Sequence, residues 1–482
     1  MKNIYSVIFV VLSAMSLHAQ TDMTTAFMRS NPYSNYENPA SYTPYNGYVS
    51  FPAISNLSVN LSNTAFHYNT MFKRSKNGYP EMFTTDRFVS RLHKTENWLN
   101  LSLNAEILGF GIRHQFLFFS FSYRVKVEEY LKFSKDLFEF PFKGNMNFIG
   151  TDNPACPSIN LSLNAYQEFS FGVQAEIGER FYIGARPKLL FGLANIKTNQ
   201  LNAQIFTDPN SYDITVNYAA NITAVSVLPP LLPDEEKIVK FKTDNLSKEW
   251  INIFDNPGFA LDLGGYFRIN DHFGVGAAVN NIGFISWKTQ GVKVSSELSD
   301  QGQFYNNGNF FFNGLGGNQF IKIISDSAYR NRFVDTLVHY FPVNTETYIS
   351  GKRWLNPRFN IEGYFQLSPA HRFSAMFHGT VIGKNFYPRF TLAYSGRLGN
   401  VFELCVNYSI MPSSYSNFGV GVGLSLGPVY LYAATDNIIG ACMPLNTNTF
   451  NLQFGLSFKW GKTPEKVIKQ TKEEPNTIEV TE

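Results

Sequence analysis

The chain has 482 residues, of which 44% are hydrophobic, 16% aromatic and only 16% charged, with a net charge of +3. A soluble globular chain carries about 25% charged residues, so this one lacks the charge of an ordinary water-facing surface, while 46 Phe and 26 Tyr call for a large apolar one. The near-neutral balance, with no basic tract interleaved with aromatics, argues against a nucleic-acid partner. The absence of any later run of about 18 apolar residues argues against spanning helices.

Residues 1–19 place Lys2 ahead of an apolar run from Ile4 to Leu17 and small residues before a cut after Ala19. This is the pattern of a secretory signal peptide, so the mature chain is expected to begin at Gln20 outside the cytoplasm. Residues 20–54 follow. Phe27, Tyr33, Tyr36, Tyr42 and Tyr45 make this stretch too aromatic for a disordered periplasmic leader, and Pro32, Pro39 and Pro44 keep it irregular. It is expected to enter the domain from the periplasmic side and plug it.

From Ser55 to Trp460 the apolar residues recur on every second position, the period of a β-strand whose side chains point to opposite faces. The first strand is placed near Ser55 to Tyr68. Leu101, Leu103, Ala105 and Ile107 then alternate with Ser102, Asn104 and Glu106, and Leu117, Phe119, Phe121, Tyr123 and Val125 with Phe118, Ser120, Ser122 and Arg124. The longest case sets Ile159, Leu161, Leu163, Phe169, Phe171 and Val173 against Asn160, Ser162, Asn164, Glu168 and Ser170. A water-soluble sandwich alternates as well, and the connections decide between the two. Short turns are read at Gly109–Arg113, Ile177–Arg180, Asn270–His272, Leu367–Arg372, Gly396–Asn400 and Leu426–Pro428, with long connections between them, the largest at Asn199–Pro257 and Lys288–Pro357. Tight turns at one end and large loops at the other describe an all-β, antiparallel, up-and-down transmembrane barrel. Counting gives about 14 strands over residues 55–460, with residues 201–228 read as a hairpin projecting from an outer loop. The closing strand NTFNLQFGLSFKW alternates without a miss up to Trp460, and a Lys- and Glu-rich tail, residues 461–482, is expected to be disordered in the periplasm.

The wet faces of these strands carry the only chemistry in the chain. Glu168, Arg186, Lys188, Asp262, Arg268 and Glu362 are the candidate lumen-lining residues. Glu168, Glu176, Asp262, Glu362 and Glu403 could be posed as catalytic carboxylate pairs, but they are matched by Arg124, Lys126, Arg186, Lys188 and Arg268. The histidines show no metal-like spacing, and no nucleophile elbow, zinc helix or phosphate loop occurs, so neither an enzyme nor a cofactor is expected. Cys156 and Cys442 both map to outer loops and could form a disulfide, while Cys405 falls on a lumen-facing position. The triplets at Asp326 and Asp335 match a short O-glycosylation sequon no better than chance.

The segment NPGFALDLGGYFRINDHFGVGAAVNNIGFISWK, Asn256 to Lys288, together with ENPAS, Glu37 to Ser41, resembles a family of Bacteroidota outer-membrane barrels of unassigned function. That family is similar in architecture to the long-chain fatty-acid transporter (FadL-like) barrels and to the shuttle barrel of type IX secretion. The resemblance implies a plugged barrel of 14 strands in the outer membrane. Two functions follow as expectations. One is passage or uptake of small apolar molecules, favoured by Phe116, Phe118, Leu190 and Met376, which break the polar face. The other is a non-conducting accessory or shuttle subunit of a larger outer-membrane assembly, docking through its large loops. The implied partners are outer-membrane lipid, the barrel-assembly machinery during insertion, and other outer-membrane or periplasmic proteins.

Overall fold

In a computed structural model of the chain, the described residues are 23–461 except 53, 65–68, 70–71, 75–79, 83–87, 95, 151, 211–213, 228–230, 235–237, 242–252, 297–321, 324–325, 327, 331, 333–342, 383–384 and 412–413. The expected signal peptide, the start at Gln20, the tail beyond Gly461 and Asp335 lie outside them.

Fourteen strand positions close into one antiparallel ring. The first is shared by Gly47–Ser50 and Leu57–Asn63. Then come Asn97–His114, Leu117–Phe133, Ile159–Ile177, Phe181–Thr207, Pro257–Arg268, Phe273–Trp287, Arg358–Gln366, His371–Ile382, Asn385–Leu398, Phe402–Met411, Ser414–Leu426, Val429–Thr435 and Thr449–Trp460. The last pairs with the first, Gly47 opposite Trp460 and Leu57 opposite Phe454, which closes the barrel.

The alternation read from sequence separates the two faces. Phe110, Phe119, Phe171, Leu189 and Leu392 point outward and stay exposed, whereas Ser122, Arg124, Glu168, Lys188 and Thr391 are buried inside. An apolar band outside and a polar lumen inside are the signature of a barrel whose solvent is lipid, where closure pairs the backbone groups that an open edge would leave bare. Among the described residues no helix is long and apolar enough to cross a membrane.

Five of the six expected short turns fall within two residues of their predicted places, and Gly178, Gly399 and Gly427 supply the positive φ that three of them require. The first does not. The chain turns at Gln115 (φ 54°) between His114 and Leu117, and Gly109–Arg113 is strand. Gly111 marks a close approach instead: a Cβ there would stand 2.4 Å from the Tyr48 ring and 2.7 Å from that of Phe118. The wall also begins earlier than residue 55, because Gly47–Ser50 is already laced to Trp460–Ser457. The described parts of residues 201–228 form the two arms of a hairpin. Ile214–Ser226 pairs with the distal part of Phe181–Thr207, and below it Pro257 takes over as the neighbour of Phe191. Gly291–Ser295 and Asn344–Tyr348 widen this sheet beyond the ring at the long-loop end.

Candidate functional site in the barrel lumen

The stretch from Met23 to Asn46 runs inside the ring and is bonded to strands on all sides of it. Its helix Met23–Phe27 starts on Asp436, whose carboxylate accepts from Met23 N (3.1 Å), Thr24 N (2.8 Å) and Thr24 Oγ1 (2.5 Å). Glu403 accepts from Ser30 N at 3.0 Å, Arg186 donates to Asn35 O at 3.1 Å, and Gln174 donates to Ala40 O at 2.9 Å. Asn280 and Asn360 each donate to Glu37 O at 2.8 Å. The aromatics singled out in sequence are the packing half of this attachment. Phe27, Tyr33 and Tyr45 join Tyr48, Phe118, Met376, Cys405, Tyr430 and Tyr432 in one buried cluster, and Tyr42 packs edge-on against Tyr182.

Tyr36 is held differently. Its ring lies under the guanidinium of Arg124 (4.1 Å) and near that of Arg186 (4.9 Å), and its hydroxyl donates to the buried Glu106, which also accepts from Ser50. Burial, reinforced by the Glu106 carboxylate, pushes the Tyr36 hydroxyl well above its usual range, so it stays a donor. Burial alone would raise the Glu37 carboxyl; Arg358 at 3.5 Å, His378 and Asn360 outweigh it and hold the group below its usual value.

Above this stretch the lumen carries an ion network. Glu168 pairs with Arg124, with Lys126 at 2.9 Å and with Lys188 at 3.7 Å; Asp262 pairs with Lys188 at 2.7 Å and Arg186 at 3.9 Å. All six side chains are buried. A backbone irregularity sets the geometry. The ladder shifts between Leu261 and Leu263, and the facing Asn281 adopts φ 60°. Asp262 accepts from Asn281 N at 2.8 Å, and Asn281 Oδ1 accepts from Lys188 at 2.8 Å. Buried charges this closely paired meet their desolvation cost only together, so the network is a rigid structural element.

The four candidates Glu168, Arg186, Lys188 and Asp262 therefore come together. Arg268 and Glu362 lie apart from them: Arg268 pairs with Asp271 (3.2 Å) beside a short turn, and Glu362 accepts from Asn38 at 3.0 Å. Sequence reasoning missed Glu37, Arg358, Arg389 and Asp436 as members of the lumen chemistry. Glu37 was visible only as part of ENPAS, and Asp436 only as the residue that ends an alternating strand. Phe116 is 51% exposed at a short turn and does not break the polar face; Phe118, Leu190 and Met376 do, but are fully packed. The possible Cys156–Cys442 disulfide is not made in this structure, where Cys156, Cys405 and Cys442 are free thiols. Cys156 is pinned toward Phe181–Thr207 by the Ala155–Ile205 bridge. Cys442 lies in the loop before the closing strand, several strand spacings of about 4.8 Å away around the ring, whereas a disulfide needs Cα atoms within about 7 Å.

A cavity of 240 Å³ remains in the lumen above Thr25, Tyr33, Tyr36 and Glu37. Its roof is a contact between the hydroxyls of Tyr130 and Tyr387, from strands on opposite sides of the ring, with ring centroids 5.9 Å apart. Beyond the roof a vestibule of 1220 Å³ faces the long-loop end. One side of the cavity is unusual. Leu57–Asn63 and Asn97–His114 lie side by side, held by Glu106 N to Asn56 O and Thr64 N to Trp98 O, both 3.0 Å, and by the pair Asn63–Leu99. Between these points no ladder pair joins residues 57–62 to 100–105, although 57–62 is laced on its other edge to the closing strand. Asn60, Ser62, Ser102 and Asn104 of this seam all line the cavity.

The sequence matches the family of unknown function DUF5723 over residues 39–436. No curated protein matches it. Among solved structures it is similar to the Ralstonia pickettii toluene transporter TbuX (8% identity, TM-score 0.43, covering 89% of this chain and 94% of that one). It is also similar to the Pseudomonas putida toluene transporter TodX (9%, 0.40, 92% and 97%) and to a Pseudomonas aeruginosa FadL homologue (8%, 0.37, 90% and 92%). These likenesses are of one barrel to another.

Proposed function

Because the chain belongs to the family of unknown function DUF5723, we propose its function from its own geometry: it is a plugged outer-membrane barrel that admits small uncharged molecules to a chamber in the lumen. The observation that carries this reading is the unlaced seam beside that chamber. Backbone groups left unpaired in hydrocarbon cost several kcal/mol each and are tolerated only where they border a watered cavity. A seam whose ladder pairs are confined to its ends can part between them without undoing the barrel. The expected apolar character of the cargo has narrow support in the lumen, since Phe118, Leu190 and Met376 are used in packing. What remains for the apolar side of a cargo is the aromatic lining, Trp98, Tyr130 and Tyr387 among it.

The register set by Asn56–Glu106 and Asn63–Leu99 places Asn60 opposite Ser102. A double variant Asn60→Cys, Ser102→Cys, oxidised across the seam, should slow accumulation of radiolabelled benzyl alcohol by cells producing it, and reduction should restore the rate. Equal uptake in both states would defeat the proposal. The docking-subunit alternative draws on a different observation, the sheet built by Ile214–Ser226, Gly291–Ser295 and Asn344–Tyr348 beyond the ring. Recovery of a stoichiometric partner on gentle extraction, with uptake insensitive to the seam, would favour it.

A further inference from the structure

We infer that the vestibule above the Tyr130–Tyr387 roof is a binding site for a hydroxylated organic anion, the chemistry of a sugar acid or sugar phosphate, and this is independent of passage through the seam. The charges decide the sign of the ligand. Among the described residues four cations line the vestibule, Lys132, Lys197, Lys352 and Arg353, against a single carboxylate, Glu96. Glu96 is taken by Lys132 at 2.6 Å. The carboxylates Glu128 and Glu129 belong to the chamber below the roof and not to this lining. Lys352 lies over the Phe284 ring at 4.9 Å. Arg353, in the strand Gly351–Trp354, sits opposite Ile285, which is buried with Tyr166 and Leu190, and its Nε donates to Ser350 Oγ at 2.8 Å. Lys197 stands within electrostatic reach of Arg353, and the lining offers neither of them a free carboxylate. Like charges held together in a concave site raise the local potential. An anion between them relieves their repulsion and gains charge-assisted hydrogen bonds.

The neutral groups decide what carries the charge. Across three adjacent strands the register sets Tyr130, Ser162 and Lys197 abreast, and Lys132 opposite Asn160 in the next row. All five line the vestibule. Residues directly opposite lie about 5 Å apart at Cβ, so a ligand held by Lys197 is also within reach of Ser162. Asn160 offers donors and acceptors together, and the Ser162 hydroxyl does the same, which matches the hydroxyls of a sugar and leaves an apolar anion without use for them. Tyr130 is both the end of this row and half of the roof, so a ligand on Lys197 rests on the closed roof. The volume of 1220 Å³ admits an acidic ring together with its water.

The test is calorimetric titration of the purified full-length protein in detergent with glucuronate and glucose 6-phosphate, alongside glucose, glucosamine, benzoate and inorganic phosphate. At least one acidic sugar should bind with a Kd of about 1 mM or tighter, and salt at about 1 M should weaken it. Lys197→Gln and Arg353→Gln should each weaken that binding by about tenfold. Lys293→Gln, whose lysine pairs with Glu346 beyond the ring, should leave it unchanged; heat-modifiable gel mobility identifies any variant that fails to fold. Preference for glucose, glucosamine or benzoate, binding of phosphate as tight as that of the acidic sugars, or binding of no probe would overturn the inference. So would acidic-sugar binding that Lys197→Gln and Arg353→Gln leave intact, or that Lys293→Gln weakens as much. The passage reading stands or falls separately, on uptake. The oxidised Asn60→Cys, Ser102→Cys protein should bind as the reduced one does, because the vestibule opens to the long-loop end; loss of binding on oxidation would move the site into the chamber and overturn the assignment.

Discussion

The strand Asn97–His114 has two unlike edges. Toward Leu117–Phe133 it is laced by seventeen residue pairs from Asn97 to His114. Toward the first wall position it has three pairs at Gly47–Val49 and one at Asn63, with residues 100–105 unladdered between. Both edges belong to one alternating sequence, and nothing in the residues 97–114 distinguishes them. The difference comes from the partner. Leu117–Phe133 is continuous, whereas the first position is broken between Ser50 and Leu57, where Phe51 and Pro52 interrupt it and Glu106 receives Ser50 and Tyr36. A barrel strand can thus be laced along the whole of one edge and only in part along the other.

Proline substitution sharpens this contrast and carries the largest expected effect. Glu106 N points to the seam, so along this strand the N–H of Ser102 does too, while that of Leu103 enters the laced edge. Leu103→Pro should cost about 3 kcal/mol more than Ser102→Pro, since only the former orphans a paired group in hydrocarbon. Urea titration of both variants in lipid vesicles, followed by gel mobility, measures the difference, and equal costs would mean the seam is laced in the membrane. Charge on the lipid face comes next. Leu189→Arg, outward and 48% exposed, should cost about 2–4 kcal/mol near the midplane, and Asn160→Arg on the polar face should be mild; equal sensitivity would point back to a soluble sandwich.

Removing the inner stretch sharpens the comparison from within. Deletion of Thr25–Pro44 leaves the laced ladders untouched but withdraws Tyr36 from Glu106 and Glu37 from Arg358. The shortened barrel should still fold and should conduct ions in planar bilayers, where the full chain is nearly silent; equal conductance would show that this stretch does not close the lumen. The smallest effect is that of pH. The Glu37 carboxyl is held below its usual 4.5 by Arg358, His378 and Asn360. Its contribution is therefore fully present above that usual value and is lost as pH falls through the lowered one. Proteolysis at Arg29 should accelerate on acidification below about pH 4 in the native protein and be flat across that range in Glu37→Gln. An unchanged acid response in the variant would place the titrating group elsewhere.

Much of this was legible in the linear chain. Period-two alternation reports the two solvents of a barrel wall directly, because each residue answers to lipid or lumen by itself; Leu161, Phe171, Glu168 and Lys188 could be assigned to faces without knowing any neighbour. Turn and loop lengths sorted the two ends in the same local way, and the aromatics of residues 20–54 announced that this stretch would be packed. The two stretches that carry the family resemblance, Glu37–Ser41 and Asn256–Lys288, could be read only as separate motifs. In the fold they meet, since Gly264 has no room for a Cβ beside Asn38 and Pro39, and Asn280 donates to Glu37 O.

By itself, then, the sequence determined the barrel, its strand number and the sidedness of its wall, because these follow from hydropathy repeated along one strand at a time. Which carboxylate holds which cation, where the roof closes and which edge stays unlaced were decided by tertiary structure alone. Those outcomes depend on register between strands far apart in sequence and on the stretch threaded through the lumen. Tyr130 meets Tyr387, and Asp436 meets Thr24, only once the ring has closed around it.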